Sequence, residues 1–267
     1  MQTVKLNSTG SDVVMLQQLL NKWGYKVNES GVFDEQTDVI VHDFQRRNKL
    51  VVDGIVGNNS WNKLQDEAAR KASTIRLTEV DFKRCADALG VEVAAVKAVQ
   101  EVETGGRGGF FEPGSPAILF EGHVFWSQLK KQGLKPENYM KGNEDILYSK
   151  WTKGHYKGGM GEYDRLNRAI AINEIAAKAS ASWGLFQIMG FNYAACGCKS
   201  VKEFVYMMSA SEGSQLDLFT AFLKTNGWDK YLRTRDWAGF AKNYNGPQYA
   251  QNKYDEKLQK AYLKYKK

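Results

Sequence analysis

Residues 91–106 read Val-Glu-Val-Ala-Ala-Val-Lys-Ala-Val-Gln-Glu-Val-Glu-Thr-Gly-Gly, and this stretch decides how the larger part of the chain folds. Val96, Val99 and Glu103 recur at helical spacing, which predicts a helix whose apolar stripe ends in a carboxylate. The two glycines that follow predict the end of that helix, because glycine adopts the left-handed conformation found after helix C-termini at little cost. We therefore expect a carboxyl group on the inward face of a helix end, beside a glycine-rich loop.

Two interpretations of Glu103 are open from its position. Apolar walls and the negative end of the helix dipole both disfavour the ionised form, so an inward-facing Glu103 would have a raised pKa and suit a general acid. Alternatively, the side chain bends out to solvent and has no chemical role. Glu101 lies on another face of the same helix, where the spacing predicts an ion pair with Lys97 in water.

Length and composition are those of a globular protein with two domains. The chain has 267 residues, of which 43% are hydrophobic and 25% charged, and no apolar run long enough to span a membrane. The N-terminus lacks the basic start and apolar stretch of a signal peptide, so we expect synthesis and initial retention in the cytoplasm. Three cysteines with no disulfide-like spacing predict free thiols.

The net charge of +7 is unevenly distributed. Residues 1–70 hold 8 Lys and Arg against 9 Asp and Glu, so the excess of positive charge belongs to the remainder of the chain. A basic C-terminal part suits a polyanionic partner, either nucleic acid or a bacterial envelope. Nucleic-acid-binding motifs are absent, so we expect no nucleic-acid partner and possible contact with an anionic envelope.

The first 68 residues predict a small helical module with a weak internal repeat. A helix starts after Gly10, and the unit 33–45 repeats its plan, with Phe44-Gln45 where the first unit has Leu16-Gln17. Glycine turns separate the parts, and a short helix at residues 59–64 completes a three-helix core. A polar connector at residues 69–76, interpreted as a short helical spacer, precedes the larger domain at residues 77–267.

This module resembles the peptidoglycan-binding domain found at the ends of many cell-wall hydrolases. The resemblance implies that it holds an enzyme against the wall; an unspecialised three-helix domain is the alternative. The matching positions are Gly10, Val13, Leu16, Gln17, Leu20, Gly24, Tyr25, Gly31, Phe33, Asp34, Thr37, Val41, Phe44, Gln45, Leu50, Asp53, Gly54, Gly57, Trp61 and Leu64.

A second carboxylate follows the glycine loop. Residues 117–120 form an apolar, strand-like run, and Glu121 emerges at its end, where it can face the same cleft as Glu103. Two carboxylates, one shielded and one more solvated, are the minimum equipment for glycoside hydrolysis. Glu121 could instead orient loop backbone together with His123, and Glu112 is a competing second carboxylate.

Three segments in order resemble the N-acetylmuramidase domain of bacteriophage endolysins, a member of the lysozyme-like superfamily. They are residues 103–106 with 116–125, residues 180–190 (Ser-Ala-Ser-Trp-Gly-Leu-Phe-Gln-Ile-Met-Gly), and residues 243–247 (Asn-Tyr-Asn-Gly-Pro). The resemblance implies a mainly α fold with a minor β part. It also implies that Glu103 is the catalytic acid and Glu121 the second acidic residue, and that the substrate contacts are Gln187, Tyr244, Asn245, Trp183 and His123.

The expected function is that of a monomeric, modular endolysin that hydrolyses the β-1,4 bond between N-acetylmuramic acid and N-acetylglucosamine. It would remain in the host cytoplasm until release and need no cofactor or metal. The alternatives are a lytic transglycosylase and a non-catalytic wall-binding protein. An amidase or peptidase is disfavoured, since the chain has 3 histidines and no HExxH motif. The glycine-rich loop at residues 150–161 is interpreted as solvated or as a cleft lip, and the basic tail 252–267 as a helix packed on the domain.

Overall fold

The computed structural model describes residues 1–72, 75–247 and 249–266, and the protein in these ranges is mainly helical. Its α-helices are α1 (Ser11–Lys22), α2 (Glu35–Arg47), α3 (Asn58–Leu64), α4 (Glu67–Ala72), α5 (Glu79–Leu89), α6 (Val93–Thr104), α7 (Gly122–Lys131), α8 (Gly161–Ile172), α9 (Glu174–Ala179), α10 (Val201–Ala210), α11 (Glu212–Thr225), α12 (Asp229–Thr234), α13 (Trp237–Asn245) and α14 (Tyr254–Tyr265). The strands are β1 (Phe110–Glu112), β2 (Ser115–Pro116), β3 (Ile118–Phe120), β4 (Ala181–Trp183) and β5 (Ile188–Met189). Short 3-10 helices cover Pro136–Tyr139, Gly190–Asn192 and Tyr249–Asn252. The predicted fold class, mainly α with a small β part, is confirmed.

Helices α1, α2 and α3 surround a hydrophobic core of their own. Val13, Leu16 and Leu20 on α1 are fully buried, as the helical spacing predicts. The side chain of Asp34 accepts a hydrogen bond from the backbone N–H of Thr37 and so caps the N-terminus of α2. The three predicted helices of the N-terminal module are present.

The internal repeat has a physical basis in two buried glutamines. The Gln17 amide accepts from the N–H of Gly31 at 2.9 Å and donates to the carbonyl of Val32 at 3.0 Å. The Gln45 amide does the same for the next turn, accepting from Gly54 at 3.0 Å and donating to the Ile55 carbonyl at 3.0 Å. Both glycines have left-handed backbone, with φ of 69° and 72°. Each glutamine therefore fixes the glycine turn that follows its helix.

The second core lies beneath α6, which packs against α5 and α14. A three-stranded antiparallel sheet in the order β3-β4-β5 stands beside it, with Ile118 opposite Trp183 and Phe120 opposite Ala181. Strands β1 and β2 form a separate hairpin just after the glycine loop. The sheet and the hairpin therefore bring residues near 110, 118 and 185 to one side of α6.

The C-terminal tail packs on the domain, as the amphipathic pattern predicts. Leu258 and Tyr262 on α14 are buried against the second core. One expectation about α6 is wrong: Glu101 does not pair with Lys97. Its carboxylate instead accepts from the Nζ of Lys264 at 2.6 Å, and Lys97 contacts Glu79, because α14 covers the face that the sequence suggested was open to water.

The two cores meet across a polar interface. The carboxylate of Asp43 on α2 accepts from the Ser211 hydroxyl at 3.1 Å, and Arg46 lies 3.4 Å from Asp217 on α11. Arg47 lies 3.3 Å from Asp81 at the start of α5. Ala210, at the end of α10, is buried in the core of the N-terminal helices. The N-terminal module is thus held directly against the larger part of the chain.

The predicted connector at residues 69–76 overlaps α4, and residues 73 and 74 of it lie outside the described ranges. Cys85, Cys196 and Cys198 are buried as free thiols. Within the described ranges no helix is both long and apolar enough to cross a membrane.

Candidate active site

Glu103 occupies the second-last position of α6, on its buried stripe. Val96 and Val99, on the same face, are 3% and 1% exposed, so the side chain leaves the helix on the inner side. The helix ends where Gly105 adopts left-handed backbone with φ of 56°. The predicted helix, its end and the inward direction of the carboxylate are all present.

The carboxyl group of Glu103 is shielded from water and has two different oxygen environments. Oε2 accepts a hydrogen bond from the Nδ2 of Asn245 at 2.9 Å. Oε1 is buried and has no hydrogen-bond partner among the described residues. Burial raises the pKa of Glu103 from 4.5 to about 7, and the Asn245 hydrogen bond opposes part of that rise. This group is therefore largely protonated at mildly acidic pH and can act as an acid.

Tyr244 links the helix that carries Asn245 to the central sheet. Its hydroxyl donates to the carbonyl of Phe186 at 2.9 Å, and its ring stacks on Phe240 with a centroid distance of 5.6 Å. Burial, followed by the nearby charge of Glu103, raises the pKa of Tyr244 well above its ordinary value. Tyr244 and Asn245 thus act as one unit that fixes the end of α13 beside Glu103.

Gln187 lies in a tight turn between β4 and β5 and is exposed. Its backbone has a φ of 49°, a conformation that costs a non-glycine residue free energy and is often found at functional sites. The amide donates to the Gly184 carbonyl at 2.8 Å and accepts from the Ser182 hydroxyl at 2.7 Å. The side chain is therefore held in one orientation.

Glu103 and Gln187 line a common cleft of about 650 Å³. Its walls come from the loop after α6, the hairpin, β3, the glycine-rich loop before α8 and the turn after β4. Of these, the glycine-rich loop is a cleft lip rather than merely a solvated loop. The lining residues are Glu103, Thr104, Arg107, Gly108, Phe110, Phe111, Ala117, Ile118, Leu119, Gly158, Gly159, Gly184, Leu185 and Gln187.

Glu121 lies at the end of β3, where it precedes the first residue of α7, and it does not line this cavity. Its Oε2 accepts from the hydroxyl of Tyr156 at 2.8 Å and lies 3.4 Å from the Nδ1 of His123. The structure therefore brings Glu121 and His123 together, in a group separate from Glu103, Tyr244 and Asn245. Along the chain, Glu121 follows Leu119 by two residues and Ile118 by three, and both of these do line the cleft.

The expected contact of Trp183 with a sugar is contradicted by its burial. The side chain is 2% exposed, and its indole N–H donates to the Lys178 carbonyl at 3.0 Å. All three residues of β4 are buried, and Trp183 therefore packs in the core. Glu112, the competing carboxylate, is exposed on the hairpin and its Oε1 lies 3.5 Å from the Ser115 hydroxyl.

Two buried polar pairs that support the cleft were missed from the sequence. Glu162 and Arg165 on α8 are both 0% exposed and form an ion pair at 2.8 Å. The Glu162 carboxylate accepts from the N–H groups of Lys157, Gly158 and Phe120, and Arg165 donates to the Phe120 carbonyl at 2.7 Å. This pair joins the glycine-rich lip to β3. The available signal was two opposite charges three residues apart directly after a glycine-rich loop.

The second pair lies at the start of α11. Glu212 accepts from the N–H of Gly109 at 2.9 Å, and Gln215 donates to the Gly109 carbonyl at 3.2 Å. Gln215 also accepts from the N–H of Leu185 at 2.8 Å. These contacts connect the loop after Glu103 with the turn that holds Gln187. Nothing in the local sequence indicates these contacts, because Glu212 and Gln215 are more than 100 residues from Gly109 along the chain.

In the described ranges no group of three or more His, Cys, Asp or Glu side chains is arranged to hold a metal ion.

Two family models match the chain. The N-acetylmuramidase model matches residues 92–266, and a putative peptidoglycan binding domain model matches residues 9–64. The crystal structure of the Burkholderia AP3 phage endolysin is similar over 99% of both chains, with 38% sequence identity and a TM-score of 0.68. The carboxy-terminal processing protease CtpA of Bacillus subtilis (strain 168) is 33% identical over 72 residues, which are 27% of this chain and 16% of that protein. The match thus spans about a sixth of the curated relative's length.

Proposed function

The chain belongs to the N-acetylmuramidase family and is a modular endolysin that hydrolyses peptidoglycan, and on this premise we propose that it cleaves the β-1,4 bond between N-acetylmuramic acid and N-acetylglucosamine with Glu103 as the general acid. The observation that carries the proposal is the Glu103 carboxyl group, whose pKa is raised to about 7 by burial at the wall of a cleft. A carboxylic acid that stays protonated near neutral pH is what departure of a sugar alkoxide requires.

The two oxygens of Glu103 take different parts in the reaction. The Asn245 amide holds Oε2 at 2.9 Å and fixes the plane of the carboxyl group. Oε1, which has no partner in the described ranges, is the atom that carries the transferable proton. That proton passes to the bridging oxygen as the bond from this oxygen to the sugar C1 breaks and positive charge develops on the ring. Water then adds to C1 and loses a proton, which completes hydrolysis.

Glu121 is the proposed second acidic residue. In this proposal its carboxylate stabilises positive charge on the sugar or polarises the attacking water. The Tyr156 hydroxyl at 2.8 Å and the neighbouring His123 ring support this role by fixing the carboxylate in one position. In the same proposal, Gln187 contacts the glycan from the turn it occupies, His123 contacts it beside Glu121, and Tyr244 and Asn245 shape the end of the cleft next to Glu103.

Residues 1–68 are proposed as the wall-binding module, 69–76 as the connector and 77–267 as the catalytic domain. Two separate hydrophobic cores support this division, one beneath α1–α3 and one beneath α6. We also propose that the protein acts as a monomer, that it is held in the host cytoplasm before release, and that its basic C-terminal part contacts the anionic envelope. Sedimentation, cell fractionation before lysis, and salt-dependent binding to envelope fragments test these three points.

The reaction is tested with a Glu103→Gln variant on purified peptidoglycan. Glutamine keeps the shape of the side chain but has no acidic proton, so turnover should fall by about 10²- to 10⁴-fold while wall binding is retained. Mass spectrometry of the wild-type products should show reducing N-acetylmuramic acid ends. Products with 1,6-anhydromuramic ends would instead assign a lytic transglycosylase, and undiminished lysis by Glu103→Gln would contradict the role of Glu103.

A further inference from the structure

Trp151 is the most exposed tryptophan described, with 57% of its surface open to solvent. It lies in the segment between Tyr148, which is buried, and the first residue of α8. An aromatic side chain of this size gains free energy from burial, so a well-fixed exposed indole is typical of a binding surface. Neither the proposed acid nor the cleft lining uses this residue.

Hydrogen bonds connect Trp151 to the second acidic residue. Its indole N–H donates to the hydroxyl of Tyr156 at 3.1 Å, and that hydroxyl donates to the Oε2 of Glu121 at 2.8 Å. The indole N–H is therefore connected to Glu121 through the Tyr156 hydroxyl. The indole has no other polar group, so the rest of this exposed side chain is an apolar ring.

Two buried residues of α8 hold the segment that carries Trp151 in place. Glu162 accepts from the N–H groups of Lys157 and Gly158 at 2.6 Å and 3.0 Å. The Arg165 guanidinium lies 5.5 Å from the centre of the Tyr156 ring. Since Glu162 and Arg165 are both fully buried, Tyr156 rests on a fixed base, and through it the indole is held in place.

The residues that hold Trp151 lie close in the chain to residues that line the cleft. Gly158 and Gly159 line the cleft, and so do Ile118 and Leu119. Tyr156 lies two residues before Gly158 in the chain, and Glu121 two residues after Leu119, so the hydrogen bond between them joins the two segments next to the cleft. The Trp151 indole donates to the same Tyr156 hydroxyl.

We propose that Trp151 is the stacking platform of a further saccharide subsite, which binds an N-acetylhexosamine of the same glycan strand beyond Glu121. Pyranose rings present flat C–H faces that pack on aromatic rings, and an indole offers the largest such surface. The hydrogen-bonded connection of Trp151 to Glu121, next to segments that line the cleft, identifies the occupant as the substrate strand. This inference deepens the proposed function and rests on it, because it assumes that a glycan lies in the cleft.

The test uses full-length protein that carries Glu103→Gln, so that binding is measured without turnover. Affinities for purified peptidoglycan glycan fragments of two and of six sugars are compared by calorimetry. Trp151→Ala should weaken binding of the longer fragment by about five- to tenfold and leave the shorter one nearly unchanged. Trp151→Phe keeps an aromatic face and should recover most of the affinity. Equal binding of the longer fragment by Trp151→Ala and its parent would overturn the proposal.

A merely structural role for Trp151 is separated by two further variants. If the indole serves only to hold Tyr156, then Trp151→Phe loses the N–H donor and behaves like Trp151→Ala, and Tyr156→Phe reproduces the same loss; that pattern would also overturn the proposal. Phe191→Ala, which removes an exposed ring from the segment Gly190–Asn192, is the matched control and should change nothing. In the active protein, Trp151→Ala should raise KM on polymeric substrate with kcat nearly unchanged. Failure of the proposed function is visible separately, as undiminished lysis by Glu103→Gln alone.

Discussion

One oxygen of Glu103 is held by the Asn245 amide and the other is buried without a partner among the described residues. This arrangement fixes the orientation of the acid while leaving its proton available. Keeping this buried carboxyl group protonated makes the stability of the folded protein depend on pH. With a pKa of about 7 against an ordinary 4.5, the folded protein holds a proton between these pH values that the unfolded chain releases. Stability therefore falls as pH rises through this window, by at most about 3 kcal/mol.

The hydrogen bond from Asn245 can be tested through the pH dependence of the reaction. The amide stabilises the ionised carboxylate, so its removal should raise the pKa of Glu103 further. Asn245→Leu, which keeps the volume and excludes water, should move the alkaline limb of the kcat/KM profile to higher pH, by about one unit. The measurement is the pH–rate profile between pH 4 and pH 9.

Asn243→Leu is the control for this shift. Asn243 lies on the same helix, and its amide donates to the Gly239 carbonyl. Its replacement should leave the alkaline limb in place. An alkaline limb that is unchanged in Asn245→Leu, or one that moves toward acid, would show that this hydrogen bond does not set the acidity of Glu103.

The sequence predicts the position of Glu103 well, because the evidence for it lies in the neighbouring residues. Helical spacing and the glycine pair fix both its face and its position at the helix end. Trp183 shows where local evidence fails: it lies within the segment that resembles a sugar cleft, but strand alternation and the cover on both faces place it in the core. Only the tertiary packing around β4, which places Trp183 in the second core, decides that outcome.

Among the elements, α8 stabilises the lip of the cleft through its buried ion pair. Glu162 satisfies three backbone N–H groups as well as Arg165, so the lip and β3 are fixed to each other by one carboxylate. The network also lowers the pKa of Glu162 against the opposing effect of its burial, which keeps the carboxylate ionised.

A single and a double substitution separate charge from positioning in this pair. Glu162→Leu leaves Arg165 as an unpaired buried charge and should lower the free energy of unfolding by about 3–5 kcal/mol. Glu162→Leu with Arg165→Met removes that charge and should regain part of the stability. Activity should stay low in both variants, since the N–H groups of Lys157 and Gly158 have lost their acceptor. Denaturant unfolding and lytic rate measure the two effects.

Full activity in the stable double variant would show that the lip needs no such anchor. The surface pair Lys83 and Asp87 on α5, which is well exposed, provides a control, and Asp87→Ala should change stability by less than about 1 kcal/mol.

Most helices could be predicted from the sequence, but the tertiary contacts between the elements could not. The helices of the N-terminal module, α6 and α14 follow from apolar spacing, caps and glycine stops. The contacts of Glu212 and Gln215 with Gly109 join residues more than 100 positions apart, and no pattern within either segment indicates the other. The support of the cleft is therefore a property of tertiary packing.

Over the whole molecule, the interface between the two cores combines a buried centre and an exposed rim. Asp43 is 2% exposed and accepts hydrogen bonds from Ser211 across the interface and from Tyr25 within its own module. At the rim, Glu35 and Lys202 approach only to 3.8 Å and remain 70% and 50% exposed. The buried contacts should therefore determine how strongly the two parts are coupled.

Calorimetry tests this coupling. The wild-type protein should unfold in one cooperative transition. Asp43→Leu leaves two buried hydroxyl groups without their acceptor, so it should cost about 2–4 kcal/mol and resolve separate transitions for the two parts. The rim variant Glu35→Gln should keep the single transition and change stability by less than about 0.5 kcal/mol. Two transitions already present in the wild type would contradict the coupling.

A catalytic domain that is joined to its binding module by a flexible linker can cleave any glycan bond within reach of that linker. Here α2 and α10 lie against each other, and the same helix that carries Asp43 belongs to the part proposed to grip the wall. The spacing between the point of attachment and the point of scission is then a fixed length set by the fold. The sizes of the glycan fragments that the enzyme releases should therefore reflect this fixed distance.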